Sequence, residues 1–294
     1  MIITRIIGGL GNQMFQYAAG RSLALANGCR LKLDITGFDN YVIHNGYELE
    51  LFNIKAEIAS MDEALRFVGS SPRIARFLRK RTGVGKKSYY LEQNFSFDPG
   101  FFDKTPPLYL DGYWQSWKYF ESCAAEIREE LTLSTSLVGR NSEFANRIAQ
   151  ANSICIHIRR GDYVANQVTN KVHGFVGVEY YKEAMKRICN EVSSPWFFVF
   201  SDDLVWARSN LGLVDNVTFV DHNRGASSYE DMRLMSLCQH HIIANSSFSW
   251  WAAWLGYHPG KQVLYPAKWF ATSGKDISSL CPPGWIRVDG EPHK

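Results

Sequence analysis

Two adjacent arginines stand at the end of an apolar run in "ICIHIRRGDYVANQ", residues 154–167, with His157 shortly before them and Asp162 shortly after. The alternation of the run predicts a buried strand. Guanidinium groups at such a strand end require an anion or an acid as partner, because an unpaired buried charge is costly. A pyrophosphate is one such partner, since the planar guanidinium fork meets phosphate oxygens in pairs. An internal ion pair with Asp162 is the other. Neighbouring side chains of a strand point to opposite faces, so Arg159 is expected to meet the ligand and Arg160 to brace the site.

Three further stretches carry groups suited to an anion or a nucleobase. In "GGLGNQMFQYA" (8–18) glycines separate a first strand from a helix, where backbone N–H groups and the helix dipole favour an anion. The spacing is not the dinucleotide fingerprint, Asp34 is the nearest acid for a ribose, and a tight turn explains the glycines equally well. In "ANSSFSWWAAWLG" (244–256), Ser246 and Ser247 either cap a helix or donate to a phosphate, while Trp250, Trp251 and Trp254 read as helix packing. In "SSYEDMRLMSLC" (227–238), Asp231 at the front of a helix either answers the dipole or accepts from the N1–H and N2–H₂ edge of a guanine. Asp202 and Asp203 in "FSDD" read as cap and loop acids. The adjacent His240 and His241 face opposite ways, so no metal is expected. Tyr113, Trp114 and Gln115 are candidates for stacking on and hydrogen-bonding a sugar, with core packing of the two aromatics as the alternative.

These groups must be positioned by α/β elements. Residues 2–7 read as a strand, the helix formers after "GGLGNQ" end at Gly28, and "CRLKLDI" (29–35) alternates as a second strand. Residues 38–110 are less regular. From about 150 strands and helices alternate as far as a last strand at "QVLYP" (262–266), which predicts a doubly wound parallel sheet. The polar "GRNSEFANRIAQANS" places a boundary near 140–152. The expected domains are 1–150, an N-terminal α/β domain with the glycine-rich loop, and 151–294, a Rossmann-like domain. Two such domains facing a cleft would hold a ligand between strand ends.

The chain has 294 residues, 46% of them hydrophobic, and a formal charge of +3, too weak to imply a nucleic-acid partner. No run is long and apolar enough for a membrane span, and "MIITRIIGGLGNQ" reads as a strand and not as a signal peptide. The six cysteines are scattered, without C-x-x-C, as expected of free thiols in a reducing compartment. A cytoplasmic protein is expected, with peripheral contact to the inner membrane face through the basic "RIARFLRKRTGVGKK" (73–87) as the alternative. Oligomeric state is not legible.

In this order, "GGLGNQMFQYA", "LDGYWQSWKYF", "HIRRGDY" and "NSSFSWWAAWL" resemble the bacterial α-1,2-fucosyltransferases of glycosyltransferase family 11, from residue 5 to about 268. The resemblance implies a GT-B fold and an inverting transfer of L-fucose from GDP-β-L-fucose to the 2-hydroxyl of a galactose in a glycan, with no metal or cofactor. It implies that Arg159 holds the β-phosphate, that His157 lies beside the guanosine and that Asp231 reads the guanine. It also implies that Ser247, with Ser246 beside it and Phe248 through its backbone, binds the pyrophosphate. Gly9, Gly11 and Asn12 would bring a loop up to the phosphates and fucose. Relatives of α-1,6 specificity carry an acid where this chain reads "YVANQ", which leaves Asp162 as the candidate base and a salt bridge with Arg160 as its other explanation.

Overall fold

The computed structural model describes residues 1–39, 45–68, 88–160, 176–212, 215–271 and 275–290. The chain forms two compact units, Met1–Thr135 with Lys275–Cys281, and Ser136–Gly274 with Pro282–Lys294.

The first unit contains β1 (Ile2–Arg5), α1 (Leu10–Ala26), β2 (Leu31–Asp34), β3 (Glu57–Ile58), α2 (Met61–Val68), β4 (Tyr89–Leu91), β5 (Leu108–Asp111) and α3 (Ala124–Glu130). Its sheet has the order β3-β2-β1-β5-β4 and is parallel throughout. β3 and β4 lie in the stretch that read as irregular. Each is too short for its alternation to register against the surrounding loops. Gly20 lets α1 close on the sheet, because a Cβ there would stand 2.0 Å from Thr4 Oγ1 and 3.1 Å from Leu31 Cδ1. Gly28 follows the last turn of α1 in the left-handed region (φ +56), the expected stop.

The start of α1 differs from expectation. The turn is made by Gly8 at φ +82, Gly9 is an extended N-cap, and the helix is under way at Leu10. Gly11 and Asn12 therefore belong to the first helical turn and not to a loop ahead of it. Gly8 also lies against Asn12, since a Cβ there would stand 2.8 Å from Asn12 Nδ2.

The second unit contains α4 (Gly139–Ala149), β6 (Asn152–Ile158), α5 (Val178–Cys189), β7 (Pro195–Ser201), α6 (Leu204–Asn210), β8 (Val217–Val220), α7 (Tyr229–Leu237), β9 (His240–Ile242), α8 (Ser247–Leu255), β10 (Val263–Pro266) and β11 (Ile286–Val288). The sheet order is β11-β10-β9-β6-β7-β8, again all parallel. The polar "GRNSEFANRIAQ", in which a domain boundary is expected, forms α4: Phe144 and Ile148, one turn apart, give it a buried stripe, and it packs on α7. β11 lies beyond the strand expected to be the last and adds an edge next to β10. Ile154, Ile156 and Ile158 of β6 pack with Tyr180, Tyr181 and Ile188 of α5 in the core.

All six cysteines are free thiols. Among the described residues no helix is long and apolar enough to cross a membrane. The basic stretch 73–87 lies outside the described residues.

Candidate active site

In an open parallel sheet the ligand crevice lies beyond the carboxyl ends of the strands, where the strand order reverses. In the second unit that point falls between β6 and β9. β6 ends in His157 and runs into Arg159 and Arg160, while β9 leads to Ser246, Ser247 and α8. The rings of His157 and Phe248 lie 5.7 Å apart, so the two segments meet.

His157 is buried, and its Nδ1 meets no hydrogen-bond partner among the described residues. Burial, with the Arg159 charge adding to it, pushes its pKa down to about 3. The imidazole is therefore neutral at physiological pH and can offer a ring nitrogen to a ligand without adding charge.

Both arginines turn to acids from the neighbouring strand. The β6–β7 register pairs Ile158 with Ser201, which brings Asp202 and Asp203 level with the two arginines. Arg159 Nε lies 3.2 Å from Asp202 Oδ2, and the Arg160 backbone N–H donates to Asp202 Oδ1 at 2.8 Å. Arg160 Nε lies 3.6 Å from Asp203 Oδ2, with its guanidinium 4.1 Å above the Trp206 ring. Asp203 also accepts the Trp206 N–H at 3.0 Å as the N-cap of α6, the cap role read from its position. The brace on Arg160 thus comes from β7 and α6. Asp162 lies outside the described residues. The Arg159 side chain is 29% exposed and that of Arg160 14%, so Arg159 is the more open of the pair.

Ser246 takes the capping role: its hydroxyl accepts the Phe248 N–H at 3.3 Å, and Ser247 is the first residue of α8. The N-terminus of α8 follows directly on β9, where dipole and N–H groups favour an anion. Trp250, Trp251 and Trp254 are buried and mutually in contact, as packing residues are.

Asp231 lies in the first turn of α7. Its Oδ1 accepts from Asn223 Nδ2 at 2.8 Å. Asn223 in turn exchanges amide hydrogen bonds with Asn141 of α4, and Asn141 Oδ1 lies 2.7 Å from His222 Nε2. Burial raises the Asp231 pKa to about 7, opposed by the Asn223 bond and assisted by the Glu230 charge. Asn141, His222 and Asn223 escaped the sequence reading. The polar run "DHNRG" after β8 was the one local signal, and nothing in it points to α4.

In the first unit the strand order reverses between β1 and β5. The glycine turn follows β1, the Gly112–Ser116 turn follows β5, and Gln115 Nε2 donates to Asn12 Oδ1 across them at 2.7 Å. Tyr113 is 40% exposed. Trp114 is fully buried against Tyr90, Phe101 and Tyr119. It offers no face to a sugar, and the packing alternative holds for it. Among the described residues no three His, Cys, Asp or Glu side chains are grouped to hold a metal.

Two parallel sheets of this kind define a GT-B glycosyltransferase fold. The fucosyltransferase NodZ from Bradyrhizobium shares it with a TM-score of 0.53 at 16% identity, covering 85% of this chain and 91% of its own. The sequence matches glycosyl transferase family 11 over residues 1–288. An alpha-1,2-colitosyltransferase of Escherichia coli is 34% identical over 98% of this chain and 99% of its own length. The galactoside alpha-(1,2)-fucosyltransferase 2 of Mus musculus is 28% identical over 97% of this chain and 77% of its own. The chain belongs to glycosyl transferase family 11.

Proposed function

We propose that this glycosyltransferase moves L-fucose from GDP-β-L-fucose to the 2-hydroxyl of a galactose residue in a glycan, with inversion and without a metal ion. The observation that carries the reading is the meeting of His157 with Phe248 of α8 at a strand-order reversal, on the strand that runs into the arginine pair, in a family 11 chain. Departing GDP develops negative charge. Arg159 and the α8 N–H groups answer it, the kind of contribution that is usually largest in such reactions. The fucosyl carbon becomes oxocarbenium-like. Asp231 would accept from the guanine edge in its ionised form. Free thiols throughout agree with a cytoplasmic reaction.

The acceptor hydroxyl must lose a proton, for which a carboxylate on the opposite face is the usual base. We assign that role to Asp162, on its place in the motif. Asp162→Asn is expected to lower kcat about 10²–10⁴-fold, with GDP affinity retained. Turnover equal to wild type in a protein of native melting temperature removes Asp162 as base.

A second donor is favoured by the relative of 34% identity that bears the name colitosyltransferase. Colitose is L-fucose without its 3-hydroxyl, so the phosphate and guanine contacts are common to both donors. Calorimetric titration in EDTA is expected to give binding of GDP and not of UDP. Transfer to lactose from GDP-fucose and from GDP-colitose then ranks the sugars by kcat/KM. Binding of UDP in place of GDP overturns the donor assignment.

A further inference from the structure

One carboxylate with no role in the donor half holds an improbable turn in the first unit. Glu92 directly follows β4, and its backbone N–H donates to the Asp111 carbonyl at 2.9 Å. Its Oε2 accepts the Tyr113 N–H at 2.7 Å and its Oε1 the Trp114 N–H at 2.9 Å. Trp114 adopts φ +54, a left-handed conformation that bulky side chains avoid. Gly112 makes room for the arrangement: a Cβ there would stand 2.4 Å from Glu92 Cβ and 2.8 Å from Trp114 Cε2. The turn separates its side chains into distinct roles. Trp114 goes into the aromatic core, Tyr113 is displayed outward, and Gln115 bonds Asn12 in the first turn of α1.

We propose that Glu92 is a positioning residue for the acceptor, whose ionised carboxylate clamps the Gly112–Ser116 turn so that Tyr113 and Gln115 are held for the galactoside. The proposal rests on the transferase reading above. A left-handed tryptophan needs surroundings that over-determine it, and packing of the indole alone fixes the ring without fixing the two N–H groups. The carboxylate fixes both. Each of its oxygens accepts one N–H, an arrangement available in full only to the ionised form, since a protonated oxygen would face a donor.

The groups facing this carboxylate place the switch near neutrality. Burial raises its pKa, the Tyr113 and Trp114 N–H groups oppose the rise, the Asp111 charge adds to it and Lys275 opposes it, leaving it at about 7, and the Tyr90 and Tyr119 phenols also face it, its charge raising their own pKa values. Asp111 is itself paired with Arg5 at 3.1 Å. An acid raised to that value takes up its proton as pH falls through it, and the clamp weakens in the same direction.

The test is steady-state transfer to lactose at saturating donor from pH 8 to pH 6, for wild type and Glu92→Gln. In wild type the acceptor KM is expected to rise about tenfold across that range, the response of binding to one ionisation near pH 7. In Glu92→Gln it is expected to be high and flat, with GDP affinity equal to wild type. If that variant does not fold, Glu92→Asp serves, being one methylene too short to reach both N–H groups. A variant whose acceptor KM follows the wild-type curve overturns the proposal. A readout independent of turnover is the fluorine NMR signal of Trp114 in 5-fluorotryptophan-labelled protein, assigned by its loss in Trp114→Phe. It should titrate near pH 7 in wild type and not in Glu92→Gln, and a Trp114 signal that titrates alike in both overturns the clamp. Absence of any galactoside transfer by wild type removes the transferase reading and the acceptor role together, while the NMR titration still decides the clamp.

Discussion

Replacing Arg159 with alanine is expected to lower kcat for transfer about 10²–10³-fold, the usual effect of losing one donor aimed at developing negative charge. On the proposed reading the same guanidinium meets the ground-state diphosphate, so calorimetry should show GDP affinity falling with it. Thermal stability should change little. The Arg159–Asp202 pair is 29% and 24% exposed, and pairs of that kind contribute about 1 kcal/mol or less. The gap between a large kinetic loss and a small stability loss is what marks a ligand-facing arginine. Arg159→Lys should recover only part of the rate, since an ammonium is a point charge without the planar fork. A kcat within threefold of wild type for Arg159→Ala would move the diphosphate away from β6 altogether.

The second large effect is expected at Asp231. A carboxylate accepting two N–H groups of guanine makes charge-assisted bonds of about 1.5–3 kcal/mol each, so Asp231→Ala should weaken GDP by at least tenfold. The pH dependence is more diagnostic. Burial raises the Asp231 pKa to about 7 in the free protein, and on the proposed reading guanine would select the ionised form. GDP affinity of wild type should therefore fall about tenfold between pH 8 and pH 6, while Asp231→Ala binds weakly at both. Stability runs the opposite way. A folded-state pKa raised above the ordinary 3.8 means that the folded chain holds this proton more tightly than the unfolded one. The stabilisation is complete below pH 3.8 and is lost as pH rises through 7. Unliganded Asp231→Asn should accordingly melt higher than wild type at pH 8. A pH-independent GDP affinity in wild type would rule out the carboxylate as the base reader.

The parts legible in the sequence were those written in local pattern. β6, α5, β7, α6, α7 and α8 follow from periodicity and stop signals within single windows, and Gly28 and Asp203 hold the cap positions that their types suggested. The parts that were not legible depend on pairing across the sheet. Asp202 and Asp203 sit one strand away from the arginines they meet, and only the β6–β7 register makes them neighbours. The same holds for Asn141 and Asp231, joined through Asn223 from separate elements. Glu92 had no motif at all: what singles it out is its bond to the N–H of a residue of positive φ, Trp114, 22 residues later. Reading Gly11 and Asn12 as loop residues failed for a different reason, because a helix can begin directly after an extended glycine that has no side chain to mark the cap.

The first unit is made of two pieces of chain, the second being Lys275–Cys281. Ser279 from that short piece accepts the Phe97 N–H at 2.9 Å and, through its carbonyl, the Ser116 hydroxyl at 2.6 Å. Ser116 closes the turn that carries Tyr113 and Gln115. A chimera built to exchange the whole first unit between family members cannot therefore be made with a single crossover after Thr135. It needs a second graft some 140 residues downstream, and a nascent chain leaving the ribosome can complete its first unit only after almost all of the second has been synthesised.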